Sequence, residues 1–262
     1  MMIDTHCHLY LDDFKEDAGD MLIRAVNAEV SHFFLPAIDS TTHKAMMDME
    51  QQYPERCFSM IGLHPCSVKQ NYLYELDHIR ELLKQRPFAA IGETGLDFYW
   101  DSSFAKEQYI ALDAQIELAL KYDIPLVLHT RNAMQETINV INNYKGSGLR
   151  GIFHCFGGSL EEAKQIIECG FFLGIGGVVT YKKSGLDETL KNIDMDHLVL
   201  ETDAPYLSPV PFRGKRNESS FLTYIVQKIA DIKQVSIAEV VRITTANAKS
   251  VFNKSFSQEK AP

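Results

Sequence analysis

Long apolar runs are missing from this chain of 262 residues. No stretch approaches the roughly 20 residues needed to span a bilayer. Nor does a basic segment followed by an apolar one open the sequence, so it reads as soluble and cytoplasmic, with no membrane role. The five cysteines are an odd number without C-x-x-C spacing, which disfavours structural disulfides, a zinc ribbon and a dithiol redox motif. Positive charge is scarce. A net charge of −9 argues against a protein coated for extended, sequence-independent binding to duplex DNA, which needs many Lys and Arg contacts. It leaves a nucleic-acid substrate open, because Arg213-Gly214-Lys215-Arg216 could meet a phosphate and divalent cations supply their own charge. Neither G-x-G-x-x-G nor a Walker A pattern occurs, which disfavours a dinucleotide or P-loop site. No internal repeat or dividing linker is visible, and no obligate protein partner is evident.

The chain does have 45% hydrophobic residues, enough for a substantial core. Apolar, strand-like runs fall near 2–8, 31–37, 57–63, 88–93, 124–129, 150–155, 171–175 and 197–203. Helix-like stretches cover 41–53, 72–85, 104–122, 133–144, 159–169, 217–233 and 236–253. Ser159 followed by Glu161 and Glu162 predicts an N-cap with an acidic first turn, and Ser236 with Glu239 fits a capping box. Alternating strands and helices, with a strand count near eight, select a single-domain (β/α)8 TIM barrel over an open doubly wound sheet. The barrel is expected over 1–255, with a poorly ordered tail at 256–262.

Metal-type ligands punctuate these runs. His6 and His8 are two apart, so on a strand both would project to one face while Thr5 and Cys7 point away. Glu93, His129, His154 and Asp203 each close a run rich in Ile, Leu, Val or Phe. In a barrel of this kind they gather at the C-terminal ends of the strands, the working face. Four histidines and two carboxylates exceed the needs of one tetrahedral zinc but suit two divalent ions about 3.5–4 Å apart. A carboxylate can bridge two ions and a neutral imidazole cannot, so Glu93 is the candidate bridge. His6, His8 and Asp203 would complete one ion, and His129 and His154 the other. Such a pair lowers the pKa of bound water. Asp203 has a second reading, as a general base. Cys7 and Cys155 adjoin ligands but on a strand would face away, as small packing residues.

Other positions keep two readings. Glu201 shares the strand face of Asp203 and either hydrogen-bonds a ligand histidine or is a buried structural carboxylate. His64 either contacts substrate or acts as an acid, or caps a turn. Arg131 clamps a phosphate or makes an ordinary salt bridge, and Arg213 meets a phosphate or is a solvated loop charge, the reading also given to Lys215 and Arg216. His32, His43, His78 and His197 lie outside the pattern as surface or packing residues.

Taken in order, the motifs resemble the TatD family of metal-dependent deoxyribonucleases, amidohydrolase-like TIM barrels. They are Ile3-Asp4-Thr5-His6-Cys7-His8-Leu9, Gly62-Leu63-His64-Pro65, Ile91-Gly92-Glu93-Thr94-Gly95-Leu96-Asp97, His129-Thr130-Arg131-Asn132-Ala133, His154-Cys155-Phe156-Gly157-Gly158-Ser159, Glu201-Thr202-Asp203-Ala204-Pro205-Tyr206, Arg213-Gly214-Lys215-Arg216-Asn217-Glu218 and Thr245-Ala246-Asn247-Ala248. The resemblance implies that His6, His8, Glu93, His129, His154 and Asp203 bind two divalent ions such as magnesium, manganese or zinc. It also implies hydrolysis of phosphodiester bonds in DNA, often from the 3′ end of single strands. Two departures stand out: Asn132 where the family commonly has an acidic residue, and Ser219 where it has a proline. The competing readings are an amidohydrolase-type enzyme acting on a small amide, ester or lactone, and a barrel carrying a purely structural metal.

Overall fold

The computed structural model describes residues 1–257. Its strands are β1 (Met2–Asp4), β2 (Val30–Pro36), β3 (Cys57–Met60), β4 (Ile91–Asp97), β5 (Leu126–Arg131), β6 (Gly151–Phe153), β7 (Phe171–Ile175) and β8 (Leu198–Leu200). The helices are α1 (Ala18–Asn27), α2 (Ser40–Gln52), α3 (Tyr72–Gln85), α4 (Ala105–Tyr122), α5 (Met134–Asn142), α6 (Leu160–Glu168), α7 (Leu186–Lys191), α8 (Leu222–Lys233), α9 (Ile237–Val251) and α10 (Asn253–Ser257). All strand pairs are parallel, β1-β2-β3 and β4 through β8. Two seams close the ring. At β3–β4, Ile61 bridges to Ile91, with Ile61 N–H donating to Ala90 O and Gly92 N–H to Ile61 O. At β8–β1, Thr5 N–H donates to Leu200 O, Asp203 N–H to His6 O and His8 N–H to Ala204 O. The first seam needs Gly62: a Cβ there would sit 2.7 Å from the Gly92 carbonyl carbon. The single-domain TIM barrel expected from the sequence is the fold observed.

Two apolar layers follow from strand alternation. Ile3, Phe34, Met60, Ala90, Val127, Ile152 and Val199 form one cluster with Ala248, Val251 and Phe252. These are the inward positions of the strands, and the end of α9 floors the barrel. Phe252 stacks on Phe34 with ring centroids 3.7 Å apart, so truncating it to alanine would cost about 3–5 kcal/mol. The second cluster lies between strands and helices. In α1, Met21, Leu22 and Ala25 are buried, an i, i+1, i+4 stripe turned to the barrel wall.

Boundaries differ from expectation in instructive ways. The strand read as 2–8 ends at Asp4, the one read as 88–93 runs to Asp97, and that read as 197–203 stops at Leu200. The stretch 217–233 splits into a 3-10 turn at Ser219–Phe221 followed by α8, while α1 and the short α7 are helices beyond those expected. Ser159 caps α6 reciprocally: its Oγ accepts the Glu162 N–H and the Glu162 carboxylate accepts the Ser159 N–H. Ser236 makes only half of the box, because Glu239 turns its carboxylate to Arg242 instead. The tail placed at 256–262 begins inside α10, where Phe256 packs edge-on to Phe34; its remainder, 258–262, lies outside the described residues.

Candidate metal centre

The side chains above the apolar interior are set by the same alternation. Val127, Ile152 and Val199 point inward, so two residues on, His129, His154 and Glu201 stand over them at the C-terminal mouth. Glu93 reaches the mouth through a register irregularity between Ile91 and Thr94. His6 and His8 lie beyond the end of β1 rather than on it. Their segment is pinned on alternate sides, Thr5 N–H to β8 and Cys7 N–H to Phe34 O of β2, which leaves both imidazoles facing the centre. Asp203, three residues past β8, has a left-handed backbone (φ 56°), uncommon for a residue with a Cβ.

Glu93 is the hub. Its Oε2 lies 3.1 Å from His6 Nε2 and 3.5 Å from His8 Nε2. Its Oε1 lies 2.9 Å from His129 Nδ1, 3.0 Å from His154 Nε2 and 3.4 Å from His64 Nε2. Asp203 Oδ1 approaches His6 and His8 Nε2 at 3.7 and 3.6 Å. Three overlapping sets have ligand atoms close enough to share an ion: His6-His8-Asp203, His6-Glu93-His154 and His64-Glu93-His129. The His6 and His154 rings stack 3.7 Å apart.

The surrounding hydrogen bonds choose which nitrogen each imidazole offers. Tyr10 donates its only hydroxyl hydrogen to Pro36 O at 2.6 Å. Its oxygen, 3.1 Å from His8 Nδ1, must therefore accept from Nδ1–H, which leaves the His8 Nε2 lone pair aimed inward. Glu201 Oε1 accepts the Cys155 N–H at 2.5 Å and lies at ion-pair distance, 3.3 Å, from His154 Nδ1, while the His154 Nε2 faces Glu93. Gly174 makes room for this carboxylate, since a Cβ there would fall 2.2 Å from Glu201 Oε2. His129 is turned the other way: Asp97 Oδ2 takes its Nε2 at 2.9 Å, and Nδ1 faces Glu93. Carboxylate and hydroxyl partners of this kind orient metal-ligating imidazoles.

Charge is concentrated here. Burial holds the His6 imidazole well below its ordinary pKa, reinforced by His154 beside it. Burial alone would raise Glu93, but His154, His64 and His6 outweigh it and keep the carboxylate well below the usual range. His154 goes the opposite way from its own burial, well upward, because Glu93 and Glu201 flank it. Asp203 is pushed up to about 6 by burial, against the pull of His154 and His8. Buried imidazoles whose inward nitrogens face two carboxylates are a nitrogen–oxygen donor set that suits a divalent transition metal or magnesium-like ion.

The remaining predicted residues divide. His64 caps the turn read for it, its Nδ1 accepting the Cys66 N–H, while its Nε2 faces Glu93. Arg131 and Arg213 are exposed, their guanidinium groups 4.0 Å from the Tyr99 ring and 4.3 Å from the Tyr181 ring. Arg216 is not a solvated charge but a clamp, bidentate on Asp17. The thiols of Cys7 and Cys155 are pushed upward by burial, Cys155 to about 12; this suits packing rather than thiolate ligation. Cys155 is left-handed (φ 49°) and just past β6, so strand alternation does not govern its direction. His43 is buried and stacks on His78, and His32 packs on Phe58.

Sequence reasoning gave no role to Asp97, Tyr10 or Asp4. Asp97 lies in the Glu93 motif and could have been suspected from it; Tyr10 had no spacing signal. Asp4 is fully buried and accepts from Ser219 Oγ, Thr202 Oγ1 and Thr202 N–H, tying β1 to the segment after β8. Its carboxyl is pushed up to about 7 by burial. The departure at Ser219 therefore supplies a hydroxyl to a buried carboxylate.

A TIM barrel that gathers histidines and carboxylates around one central glutamate defines a metal-dependent hydrolase. Residues 3–253 match the family described as TatD related DNase. The chain is 36% identical over 253 residues to the uncharacterized metal-dependent hydrolase YabD of Bacillus subtilis, covering 96% of this chain and 99% of that protein. It is 31% identical over 258 residues to the 3′-5′ ssDNA/RNA exonuclease TatD of Erwinia tasmaniensis, covering 96% and 100%. The crystal structure of the TatD homologue YjjV from Escherichia coli superposes with a TM-score of 0.91 at 27% identity, covering 96% and 98%. The chain belongs to the TatD-related DNase family.

Proposed function

We propose that this chain is a divalent-metal-dependent deoxyribonuclease that trims single-stranded DNA from its 3′ end. One observation carries the reading: the two oxygens of Glu93 face different imidazole sets, His6 and His8 on one side, His129, His154 and His64 on the other. That is the disposition of a bridging carboxylate for two ions, and magnesium, manganese and zinc all suit the donors. His6, His8 and Asp203 would hold the first ion with Glu93, and His129 and His154 the second. When bound, such a pair supplies an activated water at neutral pH and compensation for phosphate charge.

The chain's own groups do the rest. Asp203, whose Oδ1 faces His6 and His8, is placed to take a proton from the activated water. Glu201, Tyr10 and Asp97 fix the imidazole tautomers. Arg131 and Arg213, both exposed, receive backbone phosphates, and His64, its Nε2 3.4 Å from Glu93 Oε1, contacts the substrate. Among the described residues no helix is long and apolar enough to cross a membrane, and the five free cysteines suit the reducing cytoplasm.

Chelator-stripped protein, incubated with end-labelled single-stranded DNA and magnesium, manganese or zinc, should give a ladder that shortens from the 3′ end. Asp203→Asn should abolish it. Absence of cleavage by protein shown to carry metal would refute the nuclease and favour hydrolysis of a small amide, ester or lactone.

A further inference from the structure

We infer that Tyr99, Trp100 and Arg131 form a stacking platform for an unpaired nucleobase beside the metal centre. The inference rests on the nuclease reading above and adds what holds the strand. Immediately after β4 the chain reads Phe98-Tyr99-Trp100. Phe98 turns inward, its N–H donating to Arg131 O and its ring packing on Tyr109. The next two rings do not follow: Tyr99 is 52% and Trp100 67% exposed. They stand edge to face, centroids 5.0 Å apart, with the Arg131 guanidinium 4.0 Å from the Tyr99 ring and 5.1 Å from the Trp100 ring. Among the described residues no carboxylate pairs with Arg131, so its charge remains available to a phosphate.

Two features tie this cluster to the site. The N–H groups of Tyr99 and Trp100 both donate to Asp97 Oδ1, at 2.9 and 3.1 Å, while the other oxygen of the same carboxylate holds His129. One side chain thus fixes the rings and a ligand imidazole together. The second feature is the charge balance. At a net charge of −9 the molecule cannot hold a polyanion by a broad basic surface, so local contacts must do it. Flat π faces next to a lone guanidinium match a base and its phosphate, and stacking on aromatic side chains holds single strands irrespective of sequence. Bases inside a duplex are already stacked, so such a platform favours unpaired ends.

Trp100 is the sole tryptophan of the chain, which makes its emission a direct reporter. Full-length protein in chelator, titrated with a single-stranded octamer, should show saturable quenching that the same octamer in a blunt duplex does not produce. By anisotropy of a labelled octamer, Trp100→Ala and Tyr99→Ala should bind roughly 5- to 150-fold more weakly, the span of one stacked base. With metal, their KM should rise in step while kcat changes far less, and Trp100→Phe, which keeps a stacking face, should restore most of the binding. If the wild type cleaves single strands but both alanine variants match it in Kd and KM, the platform is wrong and the nuclease stands. If no oligonucleotide binds or is cleaved by metal-loaded protein, both fall.

Discussion

Replacing Glu201 tests whether the wall of the centre, rather than the ligands alone, sets metal affinity. Its Oε1 accepts the Cys155 N–H at 2.5 Å and lies 3.3 Å from His154 Nδ1. Glu201→Gln keeps size and an acceptor oxygen but removes the charge that makes His154 a strong donor through Nε2. Loss of a carboxylate partner behind a ligating imidazole typically weakens metal binding 10- to 100-fold, or about 1.4–2.8 kcal/mol. Glu201→Ala adds a second loss, since the Cys155 N–H is left without an acceptor at a buried site, at about 1–3 kcal/mol of folding stability. Gly174→Ala perturbs the same carboxylate from behind with no change in charge, because its Cβ would lie 2.2 Å from Oε2. Competition of each protein against a chromogenic chelator gives metal affinity, and urea unfolding gives stability. The expected order is wild type, then Glu201→Gln and Gly174→Ala weakened in affinity, then Glu201→Ala weakened in both. A Glu201→Gln protein that unfolds normally and binds metal within twofold of wild type would refute the reasoning.

Tyr10→Phe removes the hydroxyl that accepts from His8 Nδ1–H and donates to Pro36 O. Metal affinity should fall about tenfold, measured by the same competition, with far-ultraviolet circular dichroism unchanged. Chelation should lower the melting temperature by roughly 5–10 °C at a metal concentration near 100 times Kd, a stabilisation of about 2.7 kcal/mol; coincident melting curves for loaded and stripped protein would contradict a metal held by the native fold. Hydrogen bonds from Arg216 and Arg24 hold the Asp17 carboxyl below its ordinary value of 3.8. A depressed folded pKa means that this stabilisation is present above about pH 4 and lost as pH falls below it. Asp17→Asn should therefore cost up to about 1 kcal/mol at pH 7, both partners being partly exposed, and the difference from wild type should close toward pH 2 in urea titrations.

Much of the barrel was legible because parallel strands buried on both faces write their inward positions as apolar runs, and because a ligand two residues past such a run inherits its direction. His129 over Val127 and His154 over Ile152 follow from that rule. It fails where backbone geometry leaves the ladder. The His6–His8 pair meets the site through hydrogen bonds to β2 and β8 from a segment that is no longer strand, and Glu93 does so through a shifted register. The rule of period two gave the correct grouping there for a reason that does not apply. The tautomer-setting groups were hidden for another cause. Tyr10 and Asp97 act through contacts with His8 and His129 that the fold creates, and no periodicity encodes a partner 32 residues away, as Asp97 is from His129. The loop charges misled because sequence shows Arg216 beside Arg213 but not the Asp17 that occupies it.

The seam between β8 and β1 has a consequence for how the protein comes into being. Thr5 and Leu200, which meet there, are 195 residues apart in the chain, and Asp203 closes over His6 and His8 only once that seam exists. A nascent polypeptide displays its first two imidazoles early in synthesis, yet the oxygen that completes their set emerges near the end. The cluster of His6, His8 and Asp203 is thus assembled by ring closure itself, from residues that follow the first and the last strand of the barrel.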